Sequence, residues 1–375
     1  YTRAQSSQEN AGVGGFTLPS QAYALSETVQ TVQLTETALL TPSAVNETRL
    51  QFIRSDTGRR AASFQPAIQV LESFVDGGAQ VGNSMHSPDT WELQNNTTVT
   101  RGTHTFRFGG RVRMLSLYDR SPRNFGGTFV FSGGSGPELD SSNHMVIGPD
   151  GLPVIVPVSS IERYRRTLLF QQLGYGPAEV RVLGGGASQF SRAGGRPVSS
   201  LTDTDLGLFV QDDWRMTPTL SLSAGLRWEG QSDIHDWKDL APRLGLAWMP
   251  GNHGGKGGKT VIRLGAGVFY DRFGDNQMLQ TLRFDGHTQR QFVLNIPSFF
   301  PQVPSIPTLE TLGLPQTIRQ VDPNLRSAYL IQSALGIERQ LPMGMVAAFT
   351  VIDTRARHLY LSRNITAPYP GDGVA

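Results

Sequence analysis

The chain of 375 residues contains no cysteine, which excludes disulfide bonds and metal sites built on thiolates. It contains no run of about 18 apolar residues, so the sequence predicts no transmembrane helix. The first ten residues are polar and lack the basic and apolar segments of a signal peptide. The net charge is only +2, which argues against a general nucleic-acid-binding protein, because such proteins carry a basic surface.

Residues with the spacing of catalytic or metal-binding motifs are also scarce. The seven histidines are scattered without a zinc-ligand pair, and no Ser/His/Asp grouping can be argued from spacing. Residues 253–260 (HGGKGGKT) end like a P-loop but lead into a predicted strand, whereas a phosphate cradle needs a helix. Asp271 and Asp275 are candidate calcium ligands at a loop base, although a capped strand end explains them better. The sequence therefore predicts no enzyme, no cofactor and no metal.

The clearest pattern in the chain is an alternation of apolar and polar residues. Four stretches have apolar side chains mainly at even positions, namely residues 204–216, 218–230, 241–250 and 260–271. A period of two predicts a strand with one apolar face and one polar face. With about 9–13 residues each, these strands have the length of tilted membrane-spanning strands and exceed the usual globular strand.

Six further strands follow from the same pattern. They are residues 26–40, 46–54, 91–100, 104–114, 325–340 and 345–353. Short turns alternate with long connections along the chain. The predicted turns are 41–44, 101–103, 216–218, 250–259 and 341–344, and the predicted loops are 1–25, 115–203, 230–240 and 272–324. This asymmetry is typical of a transmembrane β-barrel, which has short periplasmic turns and long extracellular loops.

Two segments within the long connections have structure of their own. Residues 65–75 alternate like a strand, but a further crossing there would put later turns on the wrong rim, so we expect them in an extracellular excursion. Residues 161–173 predict a helix, because Ser159 and Glu162 form a capping box and Gly174 stands at its end.

The two faces of the predicted strands differ in character. The apolar face carries aromatic residues near strand ends, namely Trp214, Trp228, Trp248 and Tyr270. These fit an interfacial girdle, although tryptophan and tyrosine are also good strand formers. The polar face carries six arginines, which we predict to face the lumen: Arg107, Arg111, Arg113, Arg227, Arg243 and Arg263. Such charges fit a wet lumen, paired across strands or with a plug, and direct contact with a substrate is the sharper alternative.

Several of these strands also resemble a known family. Residues 207–214 (GLFVQDDW), 220–229 (LSLSAGLRWE), 240–248 (LAPRLGLAW) and 262–273 (IRLGAGVFYDRF) resemble the barrel of TonB-dependent outer-membrane receptors, in particular the Oar-like group. Residues 91–110 and 315–364 look like further segments of the same barrel. The resemblance covers about residues 26–370.

The resemblance implies a barrel of about 22 strands filled by an N-terminal plug. It also implies uptake of a scarce ligand with energy relayed by the TonB complex. The sequence departs from this pattern, because it shows no plug-like domain, TonB-contacting box, signal peptide or terminal aromatic strand. An open sheet would leave unpaired edges in lipid. We therefore expect residues 1–375 to be part of one barrel domain within a longer receptor, with the plug domain absent.

The predicted fold class is all-β: a partial antiparallel transmembrane β-barrel with long extracellular loops, one short helix and short periplasmic turns. The predicted function is the barrel wall of an outer-membrane TonB-dependent receptor. The expected partners are outer-membrane lipid, the plug, the remaining strands, the TonB complex and an unknown ligand, with no nucleic acid. The alternatives are a passive or structural outer-membrane barrel and a secreted soluble all-β binding module.

Overall fold

The computed structural model describes residues 1–234, 236–251, 258–314 and 316–365. The strands, in chain order, are β1 (Thr2–Ala11), β2 (Tyr23–Thr41), β3 (Ala44–Ala61), β4 (Ala67–Val70), β5 (Phe74–Gly77), β6 (Asn83–Arg101), β7 (His104–Arg120), β8 (Thr128–Phe131), β9 (Gly134–Pro137), β10 (Ile155–Val158), β11 (Gln189–Gly195), β12 (Val198–Thr217), β13 (Leu220–Gln231), β14 (Asp236–Trp248), β15 (Thr260–Tyr270), β16 (Gln289–Asn295), β17 (Tyr329–Gln340) and β18 (Val346–Arg357). The α-helices are α1 (Ser160–Gln172), α2 (Pro177–Val182), α3 (Asp275–Arg283) and α4 (Ile306–Glu310), and short 3₁₀ turns lie at Pro19–Gln21 and Pro342–Gly344. Within the described ranges, none of these helices has the length and apolar character needed to cross a membrane.

The largest unit is an eleven-stranded sheet, which we call the wall. Its strand order is β1-β2-β3-β6-β7-β12-β13-β14-β15-β17-β18, and each neighbouring pair is antiparallel. In the part of the chain that the structure describes, β1 and β18 are free edges, so the sheet is not closed. The fold is therefore an all-β partial barrel, as the sequence predicted.

All ten predicted strands are present in the wall. Several are longer than predicted, because pairing continues past the end of the clean alternation. For example, β7 and β12 pair from His104↔Trp214 to Arg120↔Val198, beyond the predicted ends at residues 114 and 204. The predicted turn at 250–259 falls mostly outside the described residues.

Four predicted loops are wrong in whole or in part. Residues 1–25 were expected to be loop but contain β1, which is polar except for two alanines and is defined by its backbone pairing with β2. The predicted loop 230–240 shrinks to a short connection, because β14 already begins at Asp236. The predicted loops 115–203 and 272–324 are not open loops, because they include the ends of β7 and β12 and four helices.

The long connections fold together into a second unit, which we call the loop module. Its sheet has the order β16-β11-β8-β4-β5, and α1 and α2 pack beside it. These strands come from three separate connections, between β3 and β6, β7 and β12, and β15 and β17. The prediction that residues 65–75 lie outside the wall is confirmed, since they form β4 and part of β5.

The loop module has a core rich in phenylalanine. Its buried side chains are Val70, Phe129, Phe131, Ala187, Phe190, Phe292, Phe300 and Leu309. The rings of Phe129 and Phe190 lie 4.6 Å apart, and Phe300 packs edge-on against Phe129 at 5.0 Å. Such ring pairs stabilise a fold beyond their buried area. The module is therefore a packed unit rather than a set of independent loops.

Helix α1 confirms the predicted helix and its capping signal. Ser159 Oγ accepts a hydrogen bond from the Glu162 amide. Arg166, which is buried, donates from Nη1 to the carbonyl oxygens of Pro137 and Leu183 at 2.8 and 3.1 Å. The Arg165 guanidinium, helped by that of Arg166, holds the pKa of the Glu162 carboxyl below its usual range. These contacts fix α1 to β9 and α2.

Replacing Ser159 with alanine should destabilise the loop module by about 1 kcal/mol, because the first turn of α1 loses its side-chain acceptor. The measurement is the urea concentration at which a protease begins to cleave the module in detergent-solubilised protein. Ser142→Ala, in the exposed β9–β10 connection, is the control and should leave that concentration unchanged. An equal shift in both variants would contradict the capping role.

Candidate functional site

One face of the wall is covered by α3, and we call it the α3 face. Leu279 of α3 packs against the buried Leu115, Leu117 and Leu201 of β7 and β12. These three leucines lie in the predicted loop 115–203, at odd positions that continue the polar face of the predicted strands. They are apolar because α3 keeps water away from them. Odd positions of β7, β12, β13, β14 and β15 therefore lie on the α3 face, and even positions lie on the opposite face.

The register places all six predicted arginines on the α3 face. In β7, Arg107, Arg111 and Arg113 lie at odd positions opposite Gln211, Gly207 and Asp205 of β12. The other three, Arg227, Arg243 and Arg263, occupy odd positions of β13, β14 and β15.

Each of these arginines contacts an opposite charge or a ring. Arg111 Nη2 lies 2.6 Å from Glu92 Oε2, and Arg113 Nη1 lies 3.0 Å from Asp205 Oδ2. The remaining contacts are Arg107 with Asp213 at 3.7 Å, Arg227 with Glu229, Arg263 with Glu338 at 3.8 Å, and the Arg243 guanidinium 4.6 Å from the centroid of the Phe269 ring. The structure brings Arg113 within 3.9 Å of Asp275 in α3 and leaves the other five spread along the wall.

A buried polar network holds the segment that leads into α3. Asp205 is 3% exposed, and its Oδ2 accepts from Arg113 and from Arg272 Nη1, the latter at 2.5 Å. Buried Gln231 exchanges two hydrogen bonds with the Phe273 backbone, at 2.9 and 3.0 Å. These contacts attach the chain after β15 to the region where Asp205 of β12 pairs with Gln231 of β13.

Beside this network lie three carboxylates that are close enough to hold a metal ion together. Asp203 is on β12, Asp233 is in the β13–β14 connection, and Asp275 is the first residue of α3. One oxygen from each lies within 4.8 Å of the others. Burial, reinforced by the charges of Asp203 and Asp275, raises the pKa of Asp233 to about 7. Burial also raises the pKa of Asp275.

The sequence placed Asp271 and Asp275 together as candidates, and the structure separates them. The Asp271 carboxylate accepts from the Arg272 amide at 2.9 Å, as expected of a capped strand end. Asp275 instead joins Asp203 and Asp233. No spacing rule could have found this group, because its members are about 30 to 70 residues apart and meet only through the register of the wall.

The other end of α3 is held by a second buried acid. Asp119, on β7, contacts Arg283 of α3 through Oδ1 and His86 Nδ1 through Oδ2 at 2.8 Å. Between this contact and the start of α3 lies a cavity of ≈ 320 Å³, lined among others by His86, Arg113 and Gln277. Helix α3 itself was missed by the sequence analysis, although Leu115 and Leu117 on the polar face signalled a covering element.

Replacing Asp119 with asparagine should loosen the C-terminal end of α3. The charged contact with Arg283 becomes a neutral one while Arg283 stays almost buried, so we expect a cost of about 1–2 kcal/mol. Faster tryptic cleavage after Arg283 would report the change. Asp213→Asn is the control, since Asp213 contacts Arg107 in an exposed pair, and equal cleavage in the two variants would contradict this role.

Comparisons with known proteins agree with this architecture. The family model described as "Outer membrane beta barrel domain" matches residues 1–236 and 234–375. The TonB-dependent transporter Oar of Myxococcus xanthus is 28% identical over 198 residues, which are 51% of this chain and 16% of that protein. The chain thus spans a small part of the length of this relative.

The structural comparison concerns the fold. The outer membrane transporter YddB from Escherichia coli superimposes with a TM-score of 0.56 at 12% identity, covering 94% of this chain and 37% of that one. Both of these similar proteins are transporters. The predicted resemblance to the Oar-like group is confirmed, and the chain belongs to the outer membrane β-barrel domain family, which places it in the outer membrane.

Proposed function

We propose that this chain is the barrel wall of a TonB-dependent receptor that takes up a scarce ligand with energy from the inner membrane. The observation that carries the proposal is the difference between the two faces of the wall. The opposite face exposes a band of aliphatic side chains, with Leu208, Leu226, Leu244 and Leu264 between 46% and 60% exposed. A contiguous apolar surface of this kind is expected against lipid.

The α3 face is then the lumen. It carries the six arginines, their carboxylate partners and the network around Asp205, all of which need water or counter-charges. Because each arginine has a partner within the wall or a ring beneath it, we assign them to the charge pattern of the lumen rather than to a ligand site. We propose instead that the ligand binds near the loop module, where the three long connections fold together.

The free edges of β1 and β18 indicate what the chain assembles with. Unpaired strand edges cannot face lipid, because their amide and carbonyl groups would lose water without gaining partners. We therefore propose that further strands of the same receptor complete the barrel. In the Oar-like pattern, a plug domain fills it and the TonB complex acts on that plug. We propose no enzymatic activity.

A passive outer-membrane pore is the second candidate, since it would share the two faces of the wall. The full-length protein encoded with this chain should be purified in detergent and inserted into planar bilayers in potassium chloride. A plugged receptor gives no steady conductance and is captured by the purified periplasmic domain of TonB. Open channels without capture would overturn energy-coupled uptake.

Membrane extraction tests the wall itself. Extraction only with detergent, and a gel mobility that changes on heating, are expected of a membrane barrel. A protein that is soluble and monomeric without detergent, with Leu222 and Leu226 buried between two sheets, would be a soluble all-β module instead.

A further inference from the structure

The part of the wall beside the start of α3 carries more acidic side chains than arginines. Four acidic side chains meet there: Asp203, Asp205, Asp233 and Asp275. Two guanidiniums, of Arg113 and Arg272, face them, and both contact Asp205 Oδ2. Arg113 also lies 3.9 Å from Asp275. Nearby Arg111 is already paired with Glu92. With all four acids ionised, two negative charges remain without a counter-charge.

Three of these acids are also buried, although some of their carboxylate oxygens have no hydrogen-bond partner among the described residues. Asp203 is 2% exposed, Asp205 3% and Asp233 9%. Among the described residues, Asp233 Oδ2 and Asp205 Oδ1 have no hydrogen-bond partner. Buried carboxylate oxygens are nearly always satisfied, and an unsatisfied one costs free energy. The unpartnered oxygen of Asp233 belongs to a side chain whose carboxylate lies within 4.8 Å of those of Asp203 and Asp275. This group therefore has buried acceptor oxygens that its protein contacts leave unused.

We propose that Asp203, Asp233 and Asp275 bind one calcium ion. An ion about 2.4 Å from each carboxylate, the usual calcium–oxygen distance, accommodates oxygens that lie within 4.8 Å of one another. One calcium ion also supplies the two positive charges that the group lacks. Magnesium fits less well, because it demands near-ideal octahedral geometry with oxygens at about 2.0–2.1 Å, whereas calcium accepts longer and more variable distances.

The surroundings of the three acids suit this role. Ser232 Oγ donates to Asp203 Oδ1 at 2.7 Å, which orients that carboxylate and leaves its second oxygen for the ion. The Asp275 side chain is 36% exposed, so water can reach the site and complete the six to eight oxygen ligands, roughly the number that calcium takes.

The ion would join three elements that the chain connects only at long range. Asp203 belongs to β12, Asp233 to the β13–β14 connection, and Asp275 to the first turn of α3. Calcium would therefore fasten α3 against the wall and order the beginning of the long connection between β15 and β17. This inference needs the fold of the wall but not transport, so it can fail or succeed independently of energy-coupled uptake.

The test is calcium titration by calorimetry of the full-length protein in detergent, after removal of bound ions with EGTA. We expect one saturable site at Asp203, Asp233 and Asp275. Asp203→Asn and Asp233→Asn should each weaken its affinity on the order of tenfold or more, because ligand charge sets calcium affinity. Asp322→Asn is the matched control, an exposed loop acid that should leave affinity unchanged.

Tryptic cleavage after Arg272 provides a second measurement that does not depend on the buried variants folding. Calcium should slow this cleavage in the wild-type protein and have no effect in Asp275→Asn, whose side chain is partly exposed and can be replaced without disturbing the core. The proposal is overturned by the absence of saturable calcium binding, or by equal affinity in the wild-type protein and the three variants. Failed capture by TonB, with calcium binding intact, would count only against the proposed function.

Discussion

Leu244→Arg is expected to destabilise the barrel folded in lipid vesicles by about 2–4 kcal/mol, the cost of an arginine on the lipid face near the bilayer midplane. Leu244 is 60% exposed on the opposite face, near the middle of the wall, where it pairs with Ala224 and Ala266. Its neighbours on that face are apolar, so the new guanidinium has no counter-charge. The measurement is a urea titration of the refolded protein in vesicles of defined thickness.

Ser223→Arg is the matched control at nearly the same height. Ser223 pairs with Gly245, the neighbour of Leu244, but it lies on the α3 face. Its hydroxyl already donates to Asp213 Oδ1 at 2.6 Å, so an arginine there finds an acidic partner beside it. We expect a change of less than about 1 kcal/mol, as for an exposed ion pair. If both arginines cost the same, or if the control costs more, the assignment of the two faces to lipid and lumen is wrong.

The wall was predictable because apolar and polar residues alternate along most of its strands. Even positions are aliphatic from Leu206 to Val210 in β12, and they are all apolar from Leu220 to Trp228 in β13. The pairing of these two strands follows from the turn of two residues between them. Strand β1 escaped prediction because its sequence, TRAQSSQENA, has no apolar face. Backbone pairing with β2 makes it a strand, and a sequence pattern does not report backbone pairing.

The loop module was predictable only where its signals are local. Helix α1 has a cap at Ser159, within a few residues of its own first turn. The pairing of the five-stranded sheet has no local signal, although residues 65–75 alternate like a strand, because β4, β8 and β11 pair across separations of about 60 residues and β16 lies about 100 residues further along the chain. Short apolar segments such as Phe129–Phe131 fit either a strand or a buried loop until their partners are known.

The candidate site was likewise predictable only in part. Odd and even positions of a strand lie on opposite faces, so the sequence alone assigned the six arginines to one face of the wall. The carboxylate group depends on the register between strands and on where α3 docks. Asp205 could be assigned to the same face as Arg113 from the sequence. Asp203 fell in the predicted loop 115–203, and the approach of Asp233 and Asp275 could not be predicted.

Phe129→Ala should destabilise the loop module by about 3–5 kcal/mol, since it empties the centre of a close-packed core. Phe129 is fully buried, and its ring contacts those of Phe190, Phe299 and Phe300. These partners come from the β7–β12 and β15–β17 connections, and β8 also pairs with β4. Removing one ring should therefore loosen all three connections together.

The wall should survive this substitution, because its pairing and the cluster of Leu115, Leu117, Leu201 and Leu279 do not include Phe129. The expected result is faster protease cleavage within residues 62–82, 121–197 and 284–314 in intact outer membranes, with unchanged heat-dependent gel mobility. Phe64→Ala removes the same ring from a loop position that is 65% exposed, and it should change neither property. Cleavage confined to the β7–β12 connection would mean that the three connections do not share one core. Loss of heat-dependent mobility would mean that the wall relies on the loop module for its stability.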